Sequence, residues 1–248
     1  LSAGPDADAD LDSDVDGQDA AISVDPPYDY AGYRSTRLRS PKRPLLPMPR
    51  GETERRGPLF GETSVDASDS DLTRSPDGAP IGERIIVTGR VGDSSGRPLR
   101  GQLVEIWQAN AAGRYRHSVD THDAPIDPNF TGAGRCLTDD EGRYRFVTIK
   151  PGEYPWANHQ NAWRPAHIHF SLFGTCFAER LVTQMYFPGD PLLDFDPMYQ
   201  AINDRRAAEL LISRFDLATT VEHWALGYVF DIVLGGRCPT PPEQLARG

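Results

Sequence analysis

The sequence predicts a mainly β protein, a β-sandwich with an extended N-terminal arm and one or two short helices. From about residue 80, short runs of β-branched and aromatic residues recur between Gly, Pro, Asn and Asp turn signals, the mark of strands on a half-buried surface. These runs do not alternate regularly with helical patterns, which argues against a parallel, doubly wound sheet. The 248 residues fit a single core with extensions, since cores stop growing near ~250–300 residues.

Residues 1–27 form an acidic, low-complexity tail with Asp at 6, 8, 10, 12, 14 and 16 and almost nothing large and apolar to pack. Within it, Asp12-Ser13-Asp14-Val15-Asp16-Gly17 copies the first half of an EF-hand loop, but the twelfth position is Ser23 where a bidentate Glu is needed. A solvated acidic run is therefore the preferred reading. Residues 28–79 form the arm. In its first part Arg34, Arg37, Arg39, Lys42, Arg43, Arg50, Arg55 and Arg56 alternate with prolines that keep the chain extended. The arm lacks interleaved base-stacking aromatics, which argues against nucleic acid.

Residues 80–248 are expected to form the β-sandwich domain. Arg84–Val91, Gln102–Gln108, Arg143–Ile149, Ala166–Phe173, Leu181–Phe187 and Leu226–Leu234 read as strands. Pro197–Phe215 reads as one surface helix, capped by Asp196 with proline in its first turn. Asp190, Asp194 and Asp196 read as a solvated or capping loop.

A net charge of -10, from 26 basic and 36 acidic residues, argues against general affinity for nucleic acid or anionic membrane. No apolar run approaches the ~18–20 residues of a membrane span. Without signal-peptide features at the start, the cytoplasm is the expected compartment, although a chain beginning at Leu1 leaves room for an upstream leader. Cys136, Cys176 and Cys238 are too few and too scattered for a disulfide framework and read as free thiols.

The chemistry concentrates in Trp163-Arg164-Pro165-Ala166-His167-Ile168-His169-Phe170. Residues two apart on a strand share a face, so His167 and His169 present two imidazoles side by side. That geometry suits a metal, though such a pair also arises by chance. Tyr115, in Gly113-Arg114-Tyr115-Arg116-His117, and Tyr154, in Pro151-Gly152-Glu153-Tyr154-Pro155-Trp156, stand beside turn residues. Singly, each reads equally as a half-buried tyrosine with a hydrogen-bonded hydroxyl. His117, His122, His159 and His223 lack ligand spacing and read as ordinary polar histidines.

Together, these segments and Val104-Glu105-Ile106-Trp107-Gln108-Ala109-Asn110 resemble the intradiol ring-cleaving dioxygenases, in particular their protocatechuate-cleaving branch. The resemblance runs from about Tyr33 to Val233. It implies a non-haem Fe(III) held by Tyr115, Tyr154, His167 and His169, a small aromatic substrate, O2, and a homologous α subunit in a hetero-oligomer. Tyr154 would be the ligand that the catechol displaces, serving then as a base. Arg164 would stabilise charge developing on the ring, with Gln184 as a further catalytic residue and Tyr33 and Trp156 contacting substrate. Trp107 matches a supporting position. The donor set suits the ion, since Fe(III) favours anionic oxygen.

Three other readings compete with this one. Catechol or hydroxyquinol could replace protocatechuate, but those relatives carry a helical N-terminal segment that residues 1–80 do not suggest. A non-catalytic sandwich subunit would lack the four ligand positions, all filled here. A zinc hydrolase or cupin also uses His-x-His, but a cupin places Glu four or five residues after the second His, whereas Glu179 follows His169 by ten.

Overall fold

The computed structural model describes residues 26–43, 64–157, 162–173, 180–235 and 239–243. The acidic run at 6–16, His159, Glu179, Cys176 and Cys238 lie outside them. Among the described residues the order is α1 (Thr36–Arg39), β1 (Arg84–Asp93), β2 (Leu103–Trp107), β3 (Ala133–Leu137), β4 (Arg143–Ile149), β5 (Tyr154–Pro155), β6 (Trp163–Arg164), β7 (His167–Phe173), β8 (Arg180–Tyr186), α2 (Pro197–Gln200), α3 (Arg205–Glu209), β9 (Arg214–Phe215), β10 (Leu226–Val229) and β11 (Ile232–Leu234).

Two sheets form the sandwich. The first is built on β1, which pairs antiparallel with β4 on one edge and parallel with β10 and then β11 on the other, while β9 extends β10. The second runs β3-β2-β7-β8 and is antiparallel throughout. Alternation along these strands sends Ile85, Val87, Phe146, Ile168, Phe170, Leu172 and Met185 into one shared core. Each such side chain contributes about 1.5–3 kcal/mol when fully buried. Gln108 ties the sheets together at the end of β2: its amide donates to Ile149 O at 2.7 Å and accepts from Thr148 Oγ1 at 2.8 Å.

The expected Leu226–Leu234 strand is split at Phe230 and Asp231. The carboxylate of Asp231 accepts from Arg90 N at 2.9 Å, satisfying a donor on β1 where the ladder lapses. Sequence reading misses β3, because Ala133-Gly134-Arg135-Cys136-Leu137 has weak strand propensity and its strand state comes from pairing with β2. Cys136, on this strand, is a free half-buried thiol pushed by burial up to about 11, which makes it unreactive.

The single helix expected at Pro197–Phe215 is not there. Asp196 does cap α2, with Pro197 in its first turn, but the helix stops after one turn. Asp204 then starts α3 by accepting from Arg206 N, and Arg214–Phe215 is a strand. The apolar residues Tyr199, Ile202, Ala207, Ala208 and Leu211 pack with Tyr186 and Leu193 in a second small core. A bent path with two caps buries all of them around Tyr186, and this overrides local helix propensity.

Candidate metal centre and catalytic pocket

On β7, Ile168, Phe170 and Leu172 enter the core, so His167 and His169 point out from the opposite face of the second sheet. Both remain buried, at 2% and 8% exposure. The His167 Nδ1–H donates to Pro165 O and the His169 Nδ1–H to Glu243 Oε2, each at 2.7 Å. Both Nε2 lone pairs are thereby left facing the same space. Trp107, opposite His169 in the β2–β7 register, stacks on its ring at 4.8 Å and 4°.

Tyr115 comes from the loop after β2 and Tyr154 from the start of β5, and the two segments are held together by Asn110. Its side-chain oxygen accepts from Ala112 N and Arg114 N, and its backbone carbonyl accepts from Gly113 N and Gly152 N. Gly113, with φ +74°, lies against the Glu153 carbonyl so closely that a side chain there would collide with it. Tyr115 and Tyr154 are thus drawn edge to face at 5.4 Å. Tyr115 OH lies 3.1 Å from His169 Nε2 and 3.5 Å from His167 Nε2, and Tyr154 OH lies 3.5 Å from His167 Nε2. Two phenols and two imidazoles therefore converge on one point.

Burial pushes the Tyr115 phenol well above its ordinary range, with Tyr154 adding to the effect, and burial also raises Tyr154. Burial, reinforced by Arg164 and His169, holds His167 well below the usual imidazole range, so it is neutral. A neutral His167 is a ready ligand, and ionising both phenols calls for a strong cation between them. No group of three His, Cys, Asp or Glu residues suited to a metal exists among the described residues. The anionic donors here would be phenolates, a set that fits a hard trivalent ion better than zinc.

Arg164 lies across the β5–β6 ladder from Tyr154. Its guanidinium is 2% exposed and forks onto Asp196, Nε to Oδ1 at 3.1 Å and Nη2 to Oδ2 at 2.8 Å. Nη2 also donates to Gln184 Oε1 at 2.6 Å and to Tyr186 OH at 3.1 Å, and Nη1 reaches His167 Nε2 at 3.2 Å. Burial opposes the Arg164 charge, but Asp196, with Tyr154 and Tyr186, more than offsets this and holds it protonated. The arm delivers Tyr33, which packs on Trp156 at 4.7 Å; Arg39 lies over Tyr33 at 4.6 Å and Arg164 over Trp156 at 5.4 Å. Tyr33, Tyr115, Tyr154, Trp156, Arg164, His167, His169 and Gln184 are thus linked around one site, with Trp107 stacked on His169.

Sequence reasoning missed the part played by four residues. Asp196 does cap a helix, but it is fully buried and carries the Arg164 pair, not solvated. Asp190 likewise accepts from Ala166 N, at the start of β7. Tyr186, on β8 opposite His167, joins Gln184 and Asp196 through its hydroxyl; its place two residues after Gln184 was the available signal. Glu243 enters from beyond the last strand and no local pattern marks it. Burial would raise its carboxyl, but His169, Arg164 and Gln184 together pull it below its ordinary value.

Two family profiles match the chain, one of the dioxygenases over residues 55–236 and one of the protocatechuate 3,4-dioxygenase beta subunit N terminus over residues 21–50. The chain belongs to the intradiol ring-cleaving dioxygenase family. Within that family it is 60% identical over 221 residues to the protocatechuate 3,4-dioxygenase beta chain of Burkholderia cepacia, covering 88% of this chain and 94% of that one. The hydroxyquinol 1,2-dioxygenase of a Rhizobium strain is 34% identical over 52% of this chain and 48% of its own length. The crystal structure of 3-chlorocatechol 1,2-dioxygenase from Rhodococcus opacus 1CP superposes with a TM-score of 0.53 at 26% identity, over 73% of this chain and 70% of that one.

Proposed function

We propose that this chain is the catalytic β subunit of a protocatechuate 3,4-dioxygenase, cleaving protocatechuate between its two hydroxylated carbons with O2 to give 3-carboxy-cis,cis-muconate. The observation that carries this reading is the convergence of Tyr115 OH, Tyr154 OH and the Nε2 atoms of His167 and His169. The substrate choice is supported by the 60% identity to a protocatechuate enzyme's beta chain and by the N-terminal profile match at residues 21–50. Hydroxyquinol and catechol enzymes match only about half of this chain.

Tyr115, Tyr154, His167 and His169 would hold ferric iron. The ion would draw the phenols into their anionic form and make a bound catecholate electron-rich enough to react with O2. By the family resemblance Tyr154 would be the exchangeable ligand, and its phenolate would take a proton from an incoming substrate hydroxyl. Arg164, whose charge is fixed by Asp196, stabilises negative charge developing beside His167. Gln184 orients polar oxygen atoms next to Arg164, Trp156 supplies an apolar wall, and Tyr33 contacts the substrate from the arm.

By the same reading, a homologous α subunit completes a hetero-oligomer working in aromatic catabolism in the cytoplasm. No helix among the described residues is long and apolar enough to cross a membrane. Oxygen uptake by the purified protein, co-expressed with its α partner, tests the assignment. The expected result is rapid uptake with protocatechuate, little with catechol, and iron in the protein by metal analysis. A clear preference for catechol refutes the substrate, and a protein that remains without iron refutes the enzyme.

A further inference from the structure

The two histidines of the site are oriented in different ways. His167 donates to Pro165 O, a backbone group two residues away, so its ring is set by the strand's own geometry. His169 donates instead to a carboxylate 74 residues further along the chain. Stacking on Trp107 fixes the plane of the His169 ring but leaves open which nitrogen faces the phenols. The acceptor at Nδ1 makes that choice, because a carboxylate accepts the Nδ1–H hydrogen bond and so keeps the proton on Nδ1, leaving Nε2 with its lone pair.

The segment that brings Glu243 in is firmly attached. Thr240 and Val233 exchange two hydrogen bonds, Thr183 Oγ1 donates to Pro241 O at 2.7 Å, and Glu243 N donates to Val182 O on β8. The Glu243 side chain is only 8% exposed. A carboxylate is rarely buried unless paired, and its partners here are His169 and Gln184.

We propose that Glu243 is a positioning residue of the metal centre: its carboxylate fixes the His169 ring with Nε2 toward Tyr115 and strengthens that nitrogen as a ligand. The C-terminal segment is thereby a working part of the site and not merely its edge. This rests on the iron reading above. Partners of metal-bound histidines typically contribute about 10–100-fold to metal affinity.

Iron retention against a competing chelator, together with the melting temperature of the iron-free protein, separates the possibilities. Glu243→Ala is expected to lose iron about 10–100-fold more readily than wild type. Glu243→Gln, which keeps an acceptor without the charge, should fall between them. Thr183→Val loosens the segment without touching the carboxylate and should hold iron nearly as wild type does. Equal retention by Glu243→Ala and wild type overturns the positioning role. So does iron loss in Thr183→Val matching that of Glu243→Ala, since segment docking would then suffice. A wild-type protein that binds no iron at all overturns the iron reading itself, and the role of Glu243 with it.

Discussion

Arg164 and Asp196 are 2% and 0% exposed, so each charge is tolerated in the interior only because the other is there. The pair also explains why an arginine is used: Nε and Nη2 fork onto Asp196, Nη2 shares its two hydrogens with Gln184 and Tyr186 as well, and Nη1 reaches His167. Asp196→Ala leaves a buried guanidinium without its counter-ion. We expect a loss of about 3–5 kcal/mol in urea unfolding of the iron-free protein. A loss below about 1 kcal/mol would mean that water already screens the pair. At this scale the sequence showed Arg164 through its neighbours in the His-x-His strand. It could not show Asp196, because an Asp-Pro helix cap and a buried counter-ion look alike until the chain is folded.

The strands were legible where alternation was strong, as in β1, β4 and β7, and illegible where pairing alone makes the strand, as in β3. Helix periodicity misled at Pro197–Phe215 because its apolar residues serve a bent path around Tyr186. Among the loops, Gly113 and Asn110 determine how closely the two tyrosines approach. Gly113 has φ +74°, and a Cβ there would meet the Glu153 carbonyl. Gly96 has a similar φ of +79° with open space around it. Both Gly→Ala changes carry the strain of a left-handed residue, about 1–2 kcal/mol, so comparing them isolates the collision. Gly113→Ala should melt well below Gly96→Ala and bind iron poorly; equal melting temperatures and equal iron content would show that the approach of the two loops is not critical.

For the molecule as a whole, the sandwich core is separate from the chemistry. One face of the second sheet packs the core, and the other presents Trp107, His169 and Gln184 in a cross-strand row with His167 and Tyr186 beside it. Over that face come the arm with Tyr33, the loop with Tyr115, the short strand β5 with Tyr154, and the C-terminal segment with Glu243. The four proposed ligands lie in short contiguous patterns and could be proposed from sequence, whereas Glu243, whose proposed role arises only from folding across the whole chain, could not. The visible spectrum tests most directly whether two phenols and two imidazoles share one ferric ion, as proposed above. Tyrosinate bound to Fe(III) absorbs visible light, so the protein should be red-brown. Its band should weaken or shift in Tyr115→Phe and move to longer wavelength on anaerobic addition of protocatechuate. A colourless iron-loaded protein, or a band unchanged by both tests, would contradict it.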